Sequence, residues 1–318
     1  MAVTYLEFEK DIKELEIKIE ELKKFSEEKN IDLSHEVGRL EEELKKELEK
    51  VYKNLSAWQK TQVARHPNRP FTLDYIENLC TDFVELHGDR LFKDDHAIVG
   101  GLGKIDGQSF VIIGHQKGRE MQSHLYRNFG MANPEGYRKA LRLMKMAERF
   151  KLPVLTLIDT AGAYPGLEAE ERGQGEAIAR NLMEMAGLNT KIIAVIIGEG
   201  GSGGALALGV ADRVYIMENS IYSVISPEGC AAILYNDSAK AAEAAENLKV
   251  DAESLKKMGI VEEIIPEPAG GAHRNYREAA ENLKTQLFKG LKELEPLTIA
   301  ELKNGRYDKF RKYGQYSE

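Results

Sequence analysis

The sequence is poor in cysteine: its 318 residues include two, Cys80 and Cys230, far apart in the chain. That supports neither a disulfide framework nor a cysteine-built zinc site, so no resident metal is expected and a cytoplasmic location is. Positive charge is also short. Lys and Arg total 44 against 52 Asp and Glu, a net charge of −8, which argues against a general nucleic-acid footprint. No apolar run is long enough for a membrane span, because Glu199 and a series of glycines interrupt the most apolar window, Ile192 to Ala211. Met1 to Lys10 lack the basic start and apolar stretch of a secretory signal. A lysine-bearing phosphate loop is missing as well, since no Gly-Lys-Ser or Gly-Lys-Thr occurs.

What is present falls into two patterns. Phe8, Ile12, Leu15, Ile19 and Leu22 recur at steps of four and three, and after a break at Asn30 to Ser34 the series Val37, Leu40, Leu44, Leu48, Val51, Leu55 and Trp58 repeats the spacing. Residues 1–66 are therefore expected to form a coiled-coil-like helical hairpin, closed by Pro67 and Pro70. From residue 67 the pattern changes to strands alternating with helices, an α/β body reaching residue 318. Its expected elements include a hairpin turning at Asp106-Gly107, a helix over 136–150, a terminal helix over 271–294 and a polar tail lying as a peripheral arm.

The body is organised around 191–210. Lys191 to Ile197 is β-branched on both faces and reads as a buried central strand; Gly198-Glu199-Gly200-Gly201-Ser202-Gly203-Gly204 reads as a turn, and Ala205 onward as a helix start. Such an arrangement aims bare N–H groups at one point and stabilises negative charge on a ligand oxygen. The glycine run also satisfies a dinucleotide fingerprint with Glu218 at the ribose-binding spacing, although here several elements precede it. It satisfies a nucleophile elbow too, but Ser202 lies several glycines past Ile197 and the only downstream histidine is His273. Leu143 to Met146 contains a Met-Lys-Met like that of a biotin acceptor, yet it sits inside a helical pattern that cannot present a β-turn.

Two further loops follow expected strands. Asp159 to Gly166, with Gly162, Ala163, Tyr164 and Pro165, either lines a ligand crevice or is a structural turn. His115 to Arg119 and Arg127 to Gly130 form a basic loop in which Lys117, Arg119 and Arg127 either receive an anion or are merely exposed.

Taken together, Ala64-Arg65-His66-Pro67, Gly114 to Arg119, Arg127 to Met131, Pro134 to Ala140, Gly198 to Gly204, Ser223 to Cys230 and Gly270 to Arg274 resemble the alpha subunit of the carboxyltransferase component of bacterial-type acetyl-CoA carboxylase, over about Tyr52 to Tyr307. The resemblance implies a crotonase-like (ClpP/crotonase) fold of repeated β-β-α units. It implies an α2β2 assembly with a zinc-ribbon beta subunit, working with biotin carboxylase and a biotin carboxyl carrier protein. It implies transfer of a carboxyl group from carboxybiotin on that carrier to acetyl-CoA, giving malonyl-CoA for fatty-acid synthesis. By the same resemblance the amides of Gly203 and Gly204 form the oxyanion hole for the biotin ureido oxygen, with Gly200, Gly201 and Ser202 beside them. Two departures stand out: Ala161 occupies a usual proline position, and Met121 to His124 replaces a segment that usually carries lysine. A different class of reading is a non-catalytic scaffold whose hairpin binds partners.

Overall fold

The computed structural model describes residues 4–314; the outermost residues of the expected hairpin and tail, 1–3 and 315–318, lie outside the described residues. The hairpin consists of α1 (Lys10–Lys29) and α2 (Ser34–Lys53), with Asn30 closing α1 in the left-handed conformation. Its seam is anchored by Ile12, Ile19, Leu40 and Leu48, all buried. The expected continuation of the second helix through Trp58 does not occur. Asn54 to Ser56 interrupt it and α3 (Ala57–Ala64) starts afresh, because Ser56 and Gln59 cap each other reciprocally: Gln59 N–H donates to Ser56 Oγ at 3.2 Å and Ser56 N–H to Gln59 Oε1 at 2.9 Å. Helix α3, grouped with the hairpin by the boundary at residue 66, packs on the body, where Ala64 joins Ile221 and Val250.

Next come α4 (Thr72–Leu79), β1 (Cys80–Glu85), β2 (Ile98–Ile105) and β3 (Gln108–His115). Strands β2 and β3 turn at Asp106 and Gly107, whose φ values of 47° and 80° are the positive pair that a tight primed turn requires. They are followed by α5 (Met121–Tyr126), α6 (Pro134–Phe150), β4 (Val154–Thr160), α7 (Leu167–Glu171), α8 (Gln174–Gly187), β5 (Ile192–Gly201) and α9 (Ser202–Leu206). The chain then forms β6 (Arg213–Met217), β7 (Ile221–Ser223), α10 (Pro227–Tyr235), α11 (Ala241–Leu248), α12 (Ala252–Lys257), β8 (Glu263–Ile265), α13 (Tyr276–Leu294) and α14 (Ile299–Arg311).

One sheet runs β1-β2-β3-β4-β5-β6-β8, with β7 pairing the far end of β5. Its first three strands are antiparallel and the remainder parallel. Helices cover both faces, so β5 must be apolar on both sides. Ala194 and Ile196 face the core shared with α6, α8 and α9, whereas Ile193, Val195 and Ile197 face the core shared with α4 and α13. Among the described residues no helix is long and apolar enough to cross a membrane.

The polar tail is not a peripheral arm. It forms α14, whose Arg306 is 1% exposed and donates to both carboxylate oxygens of Asp212 at 3.0 Å and to the carbonyls of Leu188 and Thr190 at 3.2 and 3.0 Å.

The hairpin docks through Arg274, which donates to Glu16 at 2.6 Å and to Glu9 at 3.2 Å, while the Tyr52 hydroxyl donates to Glu9 at 2.8 Å. Beside this contact the rings of His66 and His273 stack at 3.9 Å. Asn68 N–H donates to His66 Nδ1 at 3.1 Å, so the ring proton sits on Nε2, 3.0 Å from the Thr4 carbonyl. Burial depresses both histidines; His273, also repelled by His66 and Arg274, falls to about 2. The unfolded chain protonates His273 from about pH 6.5 downward while the fold does not until about pH 2, so stability present above pH 6.5 is lost as pH falls below it, by about 1.4 kcal/mol per unit for this ring; His66 shifts in the same direction. The urea midpoint is expected to drop steeply between about pH 6.5 and 5. His273→Gln should flatten that slope by roughly one histidine's share; an unchanged slope would refute the assignment.

Candidate active site

The stretches 115–119, 127–131 and 159–166 and the glycine run meet at the end of the sheet where β4 and β5 finish. The glycine run is not a loop: β5 continues as strand through Gly201, pairing Glu199, Gly200 and Gly201 with Ile221, Tyr222 and Ser223 of β7. Close approach explains the glycines. A methyl at Gly198 would lie 2.5 Å from Asp159 Oδ1, one at Gly200 would lie 2.9 Å from the Tyr222 ring, and one at Gly201 would collide with the Ala161 carbonyl. Ala161 thus contributes its main chain to a contact made possible by Gly201.

The chain then turns sharply. Ser202 opens α9 with φ of 53°, a strained conformation for a residue with a side chain. Gly203 and Gly204 follow as the second and third residues of α9, positions whose N–H groups have no acceptor within a helix, and no side chain caps them. The helix has five residues, so its dipole adds little and the individual N–H groups carry the effect. At Gly203 a methyl would make ordinary contact with Ile178 at 3.6 Å. At Gly204 it would press on Ala163 N and Gly162 C, both at 2.6 Å.

Loop 160–166 lies against this start. Thr160 Oγ1 is 2.7 Å from the carbonyls of both Gly130 and Gly162, shares its one proton between them, and accepts the Gly162 N–H at 3.1 Å. Tyr164 N–H donates to Ala132 at 3.0 Å, and Gln174 Nε2 donates to the Ala132 and Tyr164 carbonyls at 2.9 Å. Gly162, Ala163 and Tyr164 are half-buried and Pro165 is exposed, so the loop forms a rim. On the other side of α9 a cavity of about 1040 Å³ has Ser202, Leu206, Tyr222 and Val224 in its wall and Phe310 of α14 across from them. Sites for small ligands occupy about 300–1,000 Å³.

The three basic residues expected to meet an anion have other partners. Lys117 turns inward onto Asp159 at 2.6 Å. Arg119 pairs with Asp74 at 2.7 Å and stacks over Phe71, and Arg127 donates to the His96 carbonyl at 2.9 Å and lies over Tyr126. Each of the three charges thus has a partner within the chain at the edge of the site. Sequence reasoning missed two polar groups here, one buried and one half-buried. His115 is fully buried at the end of β3, with neither ring nitrogen in a well-formed hydrogen bond; burial, reinforced by Lys117, lowers its pKa to about 3. Arg65 grips Glu199 at 2.6 and 2.9 Å and Glu228 at 2.6 Å, tying α3 and α10 to the glycine strand. The signal for His115 was a polar residue at the end of the apolar run Phe110 to Ile113, and Arg65 was signalled only by its place in the Ala64 to Pro67 motif.

The competing motif readings find no support in the geometry. Glu218, the ribose-binding candidate, accepts the Glu267 N–H at 3.0 Å. Ser202 does stand just past the end of a strand, as an elbow requires, but it is exposed at the start of α9 and no histidine is found against it among the described residues. Lys145 lies within α6, which presents no β-turn. No cluster of three His, Cys, Asp or Glu among the described residues is arranged to hold a metal ion.

The fold is crotonase-like and recurs in solved structures of a malonate decarboxylase and a transcarboxylase. The chain superposes on a Pseudomonas malonate decarboxylase hetero-tetramer in complex with coenzyme A with a TM-score of 0.58 at 17% identity, over 74% of this chain and 91% of that one. On transcarboxylase 12S the TM-score is 0.53 at 21% identity, over 68% of this chain and 42% of that one. Sequence relatives are far closer. The acetyl-coenzyme A carboxylase carboxyl transferase subunit alpha of Fusobacterium nucleatum is 62% identical over 98% of this chain and 100% of its own length. That of Geobacter metallireducens is 60% identical over the full length of both. Residues 5–314 match the family described as acetyl co-enzyme A carboxylase carboxyltransferase-like, and the chain therefore belongs to that family.

Proposed function

We propose that this chain is the alpha subunit of an acetyl-CoA carboxylase carboxyltransferase, and that it handles the biotin side of the reaction. Carboxybiotin, borne on a separate carrier protein, supplies the carboxyl group that goes to acetyl-CoA to give malonyl-CoA. The observation that carries this reading is the pair of consecutive main-chain donors, Gly203 and Gly204, at the uncapped start of α9, next to Ser202 in the wall of a cavity. Uncapped N–H groups on residues that carry no side chain fit a flat urea, whose oxygen gains charge as the carboxyl group departs. Donors fixed before the reaction stabilise that charge more than they stabilise the ground state, which is what lowers a barrier. Gly162 and Ala163 hold the donors in place from one side, and Ser202 lines the approach. The chain then needs no protein nucleophile, in keeping with Ser202 having no histidine partner.

An alpha subunit works with other subunits. The partners proposed here are a zinc-ribbon beta subunit in an α2β2 complex, carrying the thioester site, together with the biotin carboxyl carrier protein and biotin carboxylase, all in the cytoplasm. Co-purification with a beta subunit is expected to give a complex of two copies of each chain that decarboxylates malonyl-CoA in the presence of biotin, while this chain alone does not. Turnover by the isolated chain, or failure to form any complex, would overturn the proposal. Saturable NAD binding by the isolated chain in titration calorimetry would favour the dinucleotide reading instead.

A further inference from the structure

Four motifs meet at one buried ion pair. Lys117 Nζ, from 114–119, donates to Asp159 Oδ1, from 159–166, over 2.6 Å; the Asp159 side chain is 1% exposed. The same oxygen accepts the N–H of Glu199, the second residue of the glycine run of 198–204, at 2.9 Å. Gly198 lies so close that any side chain there would strike the carboxylate. Gly130, from 127–131, packs on the stem of Lys117, where a methyl would come within 2.7 Å of Cγ. Asp159 Oδ2 is buried and has no hydrogen-bond partner, so Lys117 is the cation in direct contact with an otherwise under-satisfied carboxylate. The neighbouring Thr160 links Gly130 to Gly162, and Gly162 and Ala163 abut Gly204.

From this convergence we infer that Lys117 and Asp159 are positioning residues for carboxyl transfer: the pair fixes the end of β5 against loop 160–163 and so sets the spacing and direction of the Gly203 and Gly204 donors, without touching substrate. The inference rests on the oxyanion role proposed for those donors. It has a geometric and an electrostatic side. Geometrically, the pair ties the carboxylate that holds Glu199 N–H to the strand end at 115–117 and to Gly130, so its loss frees both walls of the donor pair. Electrostatically, an unneutralised carboxylate behind a site where negative charge must develop opposes that charge, and burial leaves little water to screen it.

The test uses the assembled complex with its beta subunit, with rates expressed per assembled complex measured by size exclusion. Lys117→Met is expected to lower kcat about 100-fold, the size of loss that a misplaced catalytic geometry produces, with KM for the thioester substrate unchanged. Lys117→Met combined with Asp159→Asn removes the stranded charge but not the lost tether; it should recover roughly tenfold of that loss and stay below the parent rate. A purely structural role would reduce the amount of assembled complex and leave kcat per complex normal, and that outcome overturns the inference. Should the single variant fail to assemble, the double variant decides: kcat reduced about tenfold upholds the inference and a parental kcat refutes it. Gly203→Val and Gly204→Ala both turning over normally would remove the oxyanion reading itself, whereas sensitivity there with normal Lys117 variants would remove only this inference.

Discussion

Gly204→Ala is expected to reduce carboxyl transfer by a factor of hundreds, the equivalent of about 3 to 4 kcal/mol of transition-state stabilisation, the usual cost of one lost oxyanion donor. The amide itself survives the substitution, so the loss comes from displacement. The added methyl lands 2.6 Å from Ala163 N and Gly162 C, which are main-chain atoms that cannot rotate aside. Either loop 160–163 or the start of α9 must move by several tenths of an ångström, and the donor pair moves with it. Overpacking of this kind costs about 1 to 3 kcal/mol of stability, so a modest fall in melting temperature should accompany the loss. Gly203 makes the matched comparison. Its methyl would touch Ile178 Cδ1 at 3.6 Å, ordinary van der Waals contact with a flexible side chain, so Gly203→Ala should fold like the parent and lose much less activity. Gly203→Val should also stay folded, and its activity then reports how closely the ligand approaches. Steady-state kinetics of the three assembled complexes, beside their melting curves, separate displacement of the donors from loss of fold.

The largest stability effect is expected at the far end of the chain. Arg306→Met should destabilise the protein by about 3 to 5 kcal/mol, because it leaves Asp212 buried without its cation. Asp212 also accepts the Ile192 N–H at 2.7 Å, at the first residue of β5, so the penalty falls on the strand that ends in the glycine run. Burial outweighs the guanidinium and holds the Asp212 carboxyl above its ordinary value, so the stranded carboxylate takes up a proton more readily than an exposed one; this limits the loss. Asp212→Asn in the same chain removes the charge while keeping an acceptor, and the double variant should regain part of the stability. Urea unfolding of both variants checks this; an Arg306→Met midpoint equal to the parent's would show α14 to be dispensable.

The contrast between these two regions marks what a sequence discloses. The central strand was legible because burial on both faces demands the unbroken β-branched run of Ile192 to Ile197, and the β2-β3 turn because few dipeptides besides Asp106-Gly107 accept two positive φ values in succession. The continuation of β5 through Gly201 was not legible, since glycines required by a neighbouring strand look the same as glycines required by a turn. Helix α14 was hidden for a related reason. Arg306 is a buried anchor among exposed charges, and spacing does not tell a solvated arginine from one that reaches the carbonyls of Met185, Ala186, Leu188 and Thr190 and a distant carboxylate. Lys117, Arg119 and Arg127 repeat the point: their charges were evident, but their partners Asp159, Asp74 and the His96 carbonyl lie far from them in sequence. The reciprocal cap of Ser56 and Gln59 was readable in principle and was masked by Leu55 and Trp58, which keep the helical spacing across the break.

The role of the Gly203 and Gly204 amides can be tested by locating the ligand they serve. In a structure of this chain assembled with its beta subunit and soaked with biotin, the ureido oxygen is predicted to lie about 2.7 to 3.1 Å from both amide nitrogens, the distance at which such donors act. A urea bound with that oxygen turned to solvent, or held by side chains away from the start of α9, would contradict it.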